Sequence, residues 1–268
     1  MNLHEANVVI TGASRGIGAG LVRGFGAAGA RVIGAARSTE AIGEVVGPYG
    51  GVAVTFDAAD PSSVNGFVDR IESEYGPIDV LINNAGIEVN TLFEDMSAGD
   101  IERLTRVNLL TPMHLTRQML PRMLERGRGS LVYTSSVAAA GGNPGLSTYS
   151  ASKAGLTRFA ESVRMEVAND NIDVTLLHLG PVATSMWDRI DAAEGMDSFM
   201  RRGKQLGVLA VASVEDVAHA TVDAVHNGKR EVRLPKRMAI APALNVLGTR
   251  VNELVYRGID VRADNGKR

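Results

Sequence analysis

Apolar positions in this chain gather into short continuous runs separated by longer stretches of helical periodicity. The runs are Asn7 to Ile10, Arg31 to Ala36, Val52 to Phe56, Ile78 to Ile82, Ser130 to Thr134, Ile172 to Leu177 and Glu231 to Leu234. Most are rich in β-branched residues and lack an apolar–polar alternation, which predicts strands buried on both faces, as in a parallel sheet. Helices are predicted between them. One runs to about Ala28 and stops at Gly29; another spans Pro61 to Tyr75, with proline in its first turn. A long one spans Ser97 to Arg126, with Pro112 as a kink. Two more run from Tyr149 to about Ala168 and from Ser213 to His226. Strand and helix alternate almost without a break, and there is no linker, repeat or low-complexity tract. One doubly wound α/β domain over residues 1–268 is therefore expected.

In such a sheet, ligands bind beyond the carboxyl ends of the strands. The polar clusters fall at those ends. The first strand leads into Thr11-Gly12-Ala13-Ser14-Arg15-Gly16-Ile17-Gly18, and the fourth ends in Asn83-Asn84-Ala85-Gly86. The fifth ends at Ser135-Ser136, and the sixth is followed by Gly180-Pro181-Val182. A strand, a glycine-rich turn and a helix form the first half of a nucleotide-binding unit. Gly12 permits a tight turn, while Gly16 and Gly18 let the backbone approach a pyrophosphate at the helix N-terminus.

Tyr149 and Lys153 stand four residues apart, one turn along one helix face. A free tyrosine has a pKa of about 10, too high for proton transfer at neutral pH. A cation at about 4 Å in an effective dielectric near 20 favours the phenolate by roughly 4 kcal/mol. That spacing would bring Tyr149 toward neutrality, where a general acid–base works best.

Composition narrows the choices. Hydrophobic residues make up 45% and charged residues 22%, the balance of a soluble globular chain, and aromatics at 4% leave an aliphatic core. The chain has no cysteine, so disulfides, thiolate catalysis and cysteine-ligated metals are excluded. The five histidines have no metal-ligand spacing, and no metal site is expected. A net charge of −2 gives no reason to expect nucleic acid as a partner. With no leader-like start and no apolar span of membrane length, a cytoplasmic protein is expected.

Taken in order and at their spacing, these motifs resemble the short-chain dehydrogenase/reductase family over about residues 5 to 235. Leu179 stands where that family's nicotinamide-side motif usually opens with proline. The resemblance implies a Rossmann-type parallel sheet of about seven strands flanked by helices, with a small helical substrate lid at 183–212. It also implies a catalytic tetrad of Asn108, Ser136, Tyr149 and Lys153. Tyr149 would move the proton, and Lys153 would hold the nicotinamide ribose and lower the Tyr149 pKa. Ser136, rather than its neighbour Ser135, would bind the substrate oxygen, and Asn108 would hold a water. Cofactor contacts are expected from Gly12, Ser14, Arg15, Gly16, Ile17, Gly18, Arg37, Ser38, Asp57, Ala58, Asn84, Ala85, Gly86, Tyr149, Lys153, Gly180, Val182 and Thr184. Asn83 is expected to brace neighbouring loops, and the loops at 141–146 and at Glu88 to Asn90 to border the pocket.

The second strand ends in Ala35-Ala36-Arg37-Ser38 without the carboxylate that accepts from the ribose of NAD(H). Arg37, with Arg15, suits a 2′-phosphate, so NADP(H) is expected over NAD(H). Met186, Trp187, Met196, Phe199 and Met200 give the lid an adaptable apolar lining, which points to an apolar alcohol or carbonyl substrate. The resemblance also implies a homodimer or homotetramer pairing through the Asn108 and Tyr149 helices, with Leu156, Val163 and Met165 as candidate contacts. Residues 238–257 carry one apolar stripe on a predicted helix beside a basic flank. Protein-on-protein packing is expected for that stripe, and a membrane surface is the alternative. A non-catalytic, cofactor-sensing protein on the same fold is the competing function. It would have no physical need for Tyr149 and Lys153 together.

Overall fold

A computed structural model of the chain describes residues 1–184 and 210–235. Seven strands form one sheet: β1 (Asn7–Thr11), β2 (Arg31–Ala36), β3 (Val52–Thr55), β4 (Val80–Asn83), β5 (Gly129–Ser136), β6 (Ile172–Leu179) and β7 (Glu231–Leu234). Their order is β3-β2-β1-β4-β5-β6-β7, and every pairing is parallel. All seven carboxyl ends therefore lie along one edge. The order reverses between β1 and β4, and the crevice of a doubly wound sheet opens at such a reversal.

Alternate residues of each buried strand feed two separate cores. Val8 and Ile10 join the layer under α1 (Gly16–Ala27) and α8 (Val214–His226), while Val9 joins the opposite one. The second layer lies under α4 (Phe67–Tyr75), α6 (Thr111–Arg126) and α7 (Ser147–Glu166). It holds most of the large buried rings. Phe56 and Phe67 meet at 4.5 Å between centroids, and the Tyr133 hydroxyl pairs with Thr116 Oγ1 at 2.7 Å. Strands buried on both faces are why the sequence reads as continuous apolar runs.

Two helical expectations are corrected, and one helix is added. The helix expected from Pro61 to Tyr75 is two pieces, α3 (Pro61–Val64) and α4, because Gly66 between them adopts φ +64°. The long helix expected from Ser97 to Arg126 is α5 (Ala98–Thr105), a π-helical turn over Arg106–Leu110, and α6. The break comes at the π turn, and Pro112 sits in the tolerated first turn of α6. A helix not foreseen, α2 (Thr39–Val46), follows β2, capped by Ser38 Oγ accepting from Ala41 N at 3.2 Å.

On α7 the expected partner contacts divide. Leu156 and Val163 are buried in the chain's own second core, because their face lies on the sheet. Only Met165, 77% exposed, points outward. Most of the expected lid, with Met186, Trp187, Met196, Phe199 and Met200, and the whole stripe at 238–257 lie outside the described residues.

Candidate active site

The Gly-rich turn is shaped by close contact. Gly12 has φ +69°, and a Cβ on it would come within 2.9 Å of Ala85 Cα. A Cβ on Gly18 would lie 2.0 Å from Gly12 O, so β1, the turn and α1 fit together only without side chains there. The turn is tied to β2 by Gly12 N–H donating to Ala35 O at 2.7 Å. At the start of α1, Arg15 is extended and exposed, no side chain caps the helix, and the first turn has no acidic residue. Backbone N–H groups and the positive end of the helix are thus directed at the space beside Ser14, Gly16 and Ile17, a setting that fits a phosphate. Across from it, Thr184 Cγ2 lies 3.4 Å from where a Gly16 Cβ would be.

Two residues keep this turn against β4. Thr11 Oγ1 accepts from Asn84 N at 3.0 Å and from Ala85 N at 3.1 Å. The Asn84 amide donates to Thr11 O at 3.0 Å and accepts from Thr134 Oγ1 at 3.3 Å. The sequence expectation is therefore reversed: Asn84 is the brace, whereas the amide of buried Asn83 has no hydrogen-bond partner. Asn83 is the last residue of β4 and is buried, whereas Asn84 lies past the strand end, its N–H also on Ile82 O at 3.0 Å and its side chain on Thr11. At the β2 end Arg37 is exposed, while the Ser38 hydroxyl is committed to capping α2. Asp57 closes a turn after β3, its Oδ1 accepting from Ala59 N at 2.9 Å, and Ala58 O accepts from Thr111 Oγ1 at 2.7 Å.

Beyond β6, Gly180 N–H donates to Leu234 O at 2.7 Å. Val182 pairs with Ala212, whose N–H donates to Pro181 O at 2.9 Å and whose carbonyl accepts from Ala183 N at 3.0 Å. Leu179, where a proline is usual in the resembled family, is the last residue of β6 and pairs with both Ser136 and Leu234. An ordinary residue there extends the strand without disturbing the turn.

Tyr149, Lys153 and Ser136 come together where β5 ends against α7. Lys153 is 4% exposed, and its Nζ donates to Thr134 O at 2.8 Å. Burial lowers its pKa to about 8. Ser136 Oγ accepts from Ala138 N at 3.1 Å, near the half-buried Tyr149, whose phenol it acts on. Ser135 is turned the other way, its Oγ 2.7 Å from Thr157 Oγ1. Tyr149 itself departs from expectation. Burial pushes its pKa up to about 12, the Ser136 hydrogen bond pulls it down, and the charge of Glu88 pushes it further up. Lys153 Nζ stands 5.8 Å from the Tyr149 ring centre with Thr134 O as its acceptor, so desolvation decides the direction.

Asn108 lies in the π turn, 0% exposed. Its Oδ1 accepts from Ile87 N at 2.9 Å, and its Nδ2 donates to Ile87 O at 2.9 Å and to Ser152 Oγ at 3.2 Å. Ser152 Oγ in turn donates to Tyr149 O at 2.7 Å. A continuous chain of hydrogen bonds thus joins the loop after β4 to the backbone of Tyr149. Ser152 was not foreseen; its place between Tyr149 and Lys153 was the signal. A Cβ on Gly86 would sit 3.4 Å from Lys153 Nζ and 3.5 Å from Asn108 Oδ1. The bare glycine keeps this junction open.

The cleft holds a phosphate-suited turn at one end and a tyrosine–lysine–serine cluster at the other. Residues 6–195 match the family model described as short chain dehydrogenase. The chain belongs to the short-chain dehydrogenase family. Its relatives in that family include the ketoacyl reductase HetN of Nostoc sp., 33% identical over 94% of this chain and 86% of that one. The 3-oxoacyl-(acyl-carrier-protein) reductase FabG of Escherichia coli is 30% identical over 84% of this chain and 97% of its own. Dehydrogenase/reductase SDR family member 7B of Bos taurus is 33% identical over 97% of this chain and 82% of its own. A crystal structure of a short-chain dehydrogenase from Streptomyces avermitilis superposes with a TM-score of 0.79 at 28% identity, covering 97% of this chain and all of that one. A nicotinamide-dependent oxidoreductase family fits the cleft. A groove of about 740 Å³ between α1 and α8, lined by Gly24, Tyr49 and Val222 among others, contains none of these site residues.

Proposed function

We propose that the chain is an NADP(H)-dependent reductase that interconverts a carbonyl and an alcohol on an apolar small molecule. The observation that carries this is the meeting of Ser136, at the end of β5, with Tyr149 on α7 and with Lys153 buried one turn away, its Nζ on Thr134 O at 2.8 Å. Ser136 orients the substrate oxygen and donates to it as charge develops. Tyr149, held protonated at neutral pH by burial, delivers its hydroxyl proton to that oxygen in the reductive direction. Lys153 supplies a positive charge to the ribose side, and Asn108, with Ser152, fixes the loop and helix that carry these groups. The cofactor supplies the hydride; the turn at Gly12 to Gly18 with Ser14, Arg15 and Ile17, the ends at Arg37, Ser38, Asp57 and Ala58, and Ala85, Gly86, Gly180, Val182 and Thr184 are the residues to hold it. Arg37 and Arg15, both exposed, support NADP(H) over NAD(H).

Relatives named as ketoacyl reductases support reduction as the working direction. Exposed Met113, Leu124 and Met165 on α6 and α7 support pairing of subunits through those helices as a homodimer or homotetramer. No described helix is long and apolar enough to cross a membrane, in keeping with a cytoplasmic enzyme. The test is a panel of ketones, 3-oxoesters and aliphatic aldehydes assayed with NADPH and with NADH. Turnover favouring NADPH is expected. No turnover on any carbonyl, with cofactor still bound, would instead favour the cofactor-sensing alternative.

A further inference from the structure

α7 lies on the sheet through an apolar face: Leu156, Ala160 and Val163 are buried in the second core. Apolar contact is non-directional, so it holds the helix down without fixing its height along a strand. Two hydroxyls meet within that contact. Ser135, 2% exposed near the end of β5, donates through Oγ to Lys153 O at 3.3 Å, and the same Oγ lies 2.7 Å from Thr157 Oγ1. A hydroxyl carries one proton. With that of Ser135 given to Lys153 O, the Thr157 hydroxyl is the donor to Ser135. Thr157, also buried, stands four residues after Lys153, one turn on along the same face. The neighbouring residue of β5, Thr134, receives the Lys153 ammonium on its carbonyl oxygen at 2.8 Å. Lys153 is therefore fastened to β5 twice, at its backbone by Ser135 and at its tip by Thr134. Neither Ser135 nor Thr157 has a part in the reaction as proposed.

We propose that Ser135 and Thr157 are a positioning pair for Lys153: their hydrogen bonds set the height of α7 along β5, and that height brings the ammonium to Thr134 O. A hydrogen bond weakens steeply as its angle departs from linear, so it fixes a register that apolar packing leaves free. The flexible stem of a lysine points its charge only as well as its backbone is placed. A small slide of the helix moves Lys153 Nζ off the Thr134 carbonyl, and Tyr149, one turn earlier on α7, moves with it. Misplacement of about 1 Å costs a reaction up to about 10²-fold. The inference rests on the reductase reading, in which Lys153 serves the reaction.

The experiment assays Ser135→Ala, Thr157→Val, the two together and Thr157→Ser with NADPH and a carbonyl compound that the wild type reduces. Ser135→Ala and Thr157→Val should each lower kcat about 10- to 100-fold, with the carbonyl KM changed less than about threefold. Because the two share one bond, the double variant should fall no further than the more damaged single. Thr157→Ser, which keeps the hydroxyl, should keep kcat within about threefold. A second readout needs no substrate. The chain has five lysines, so the side-chain NMR signal of Lys153 can be followed as pH rises. Its ammonium should titrate near 8 in the wild type and lower in Ser135→Ala, where the bond from Nζ to Thr134 O is loosened. Tyr149, its ring centre 5.8 Å from Nζ, is the titratable neighbour on the same helix. Arg164→Met is the control. It frees the other end of α7 from Val174 O, at 3.0 Å, and should lower Tm without moving kcat or the Lys153 titration. A folded Ser135→Ala that keeps the wild-type kcat, or leaves the Lys153 titration unmoved, overturns the proposal, as does an Arg164→Met that loses kcat equally. Should Thr157→Val not fold, Ser135→Ala, which removes one buried oxygen, decides alone. A wild type that reduces no carbonyl compound defeats the reductase reading beneath it, and the Lys153 titration then still tests the pair.

Discussion

Asn108 grips both backbone groups of Ile87, its amide oxygen accepting from the N–H and its amide nitrogen donating to the carbonyl, each at 2.9 Å. A side chain that reads as the backbone of a neighbouring strand can have few substitutes. Aspartate cannot donate to Ile87 O, and alanine leaves both groups unmatched. Asn108→Asp, which loses the two bonds donated by Nδ2, should lower stability by about 2–3 kcal/mol, and Asn108→Ala, which loses all three, by somewhat more. Chemical denaturation of the variants measures this. Because Ser152 passes the constraint to Tyr149, kcat should fall more than cofactor affinity does.

Tyr149→Phe removes the proton donor and little else. Its kcat should fall about 10²–10⁴-fold, the usual worth of a positioned general acid. NADPH binding, followed by nicotinamide fluorescence, should stay within a few-fold. Near-normal turnover would remove Tyr149 from the reaction.

Lys153 links pH to both stability and rate. Its folded pKa of about 8 lies below the ordinary 10.5, so burying the ammonium opposes folding. The penalty is complete below pH 8, and it disappears as pH rises from 8 toward 10.5, where the unfolded chain also loses its proton. The difference amounts to at most about 3 kcal/mol. Lys153→Met should therefore raise Tm by about 5 °C at pH 7, after the lost bond to Thr134 O is allowed for, and by less at pH 9. Activity should vanish. In the wild type the reductive kcat/KM should decline as pH climbs through about 8 and the charge is lost.

Gly18→Ala places a methyl group 2.0 Å from Gly12 O, a backbone atom with nowhere to retreat. Loss of folded protein, or a stability drop above about 3 kcal/mol, is expected by thermal melting. Gly43→Ala, whose added carbon meets nothing within 4 Å, is the control and should be neutral or slightly stabilising.

Arg37→Ala should raise the KM for NADPH about 10- to 100-fold and leave that for NADH within about threefold, the loss of one charge-assisted phosphate contact. Equal effects on the two cofactors would mean that Arg37 does not meet a 2′-phosphate.

The sequence disclosed the strands well, because a parallel strand covered on both faces must be apolar throughout, and Val8 to Ile10 or Leu176 and Leu177 can be little else. The clustering of Ser136, Tyr149 and Lys153 was legible for a related reason: strand ends and helix turns put them at one edge. What stayed hidden depended on which way a side chain turns. Asn83 and Asn84 are chemically identical neighbours, and only where β4 ends, with the turn that follows it, decides that Asn84 meets Thr11. Arg106 to Leu110 reads as ordinary helix, since a π turn is set by the partner that Asn108 must reach in Ile87, far away in sequence. The Tyr149 pKa failed for a different reason. Spacing gave the lysine's place, but the depth of burial and the pull of Thr134 O on Lys153 were not written in it.

The pairing of Gly180 with Leu234, and of Val182 with Ala212, has a bearing on how the protein is born. A ribosome delivers Tyr149 and Lys153 well before the strand that fastens the far wall of their cleft. At about 5–20 residues per second, the roughly 80 residues between Lys153 and Leu234 take on the order of 4–16 s to emerge. Throughout that interval the nascent chain carries its reactive side chains without the completed enclosure around them. The enclosure is complete only once β7 has emerged and paired.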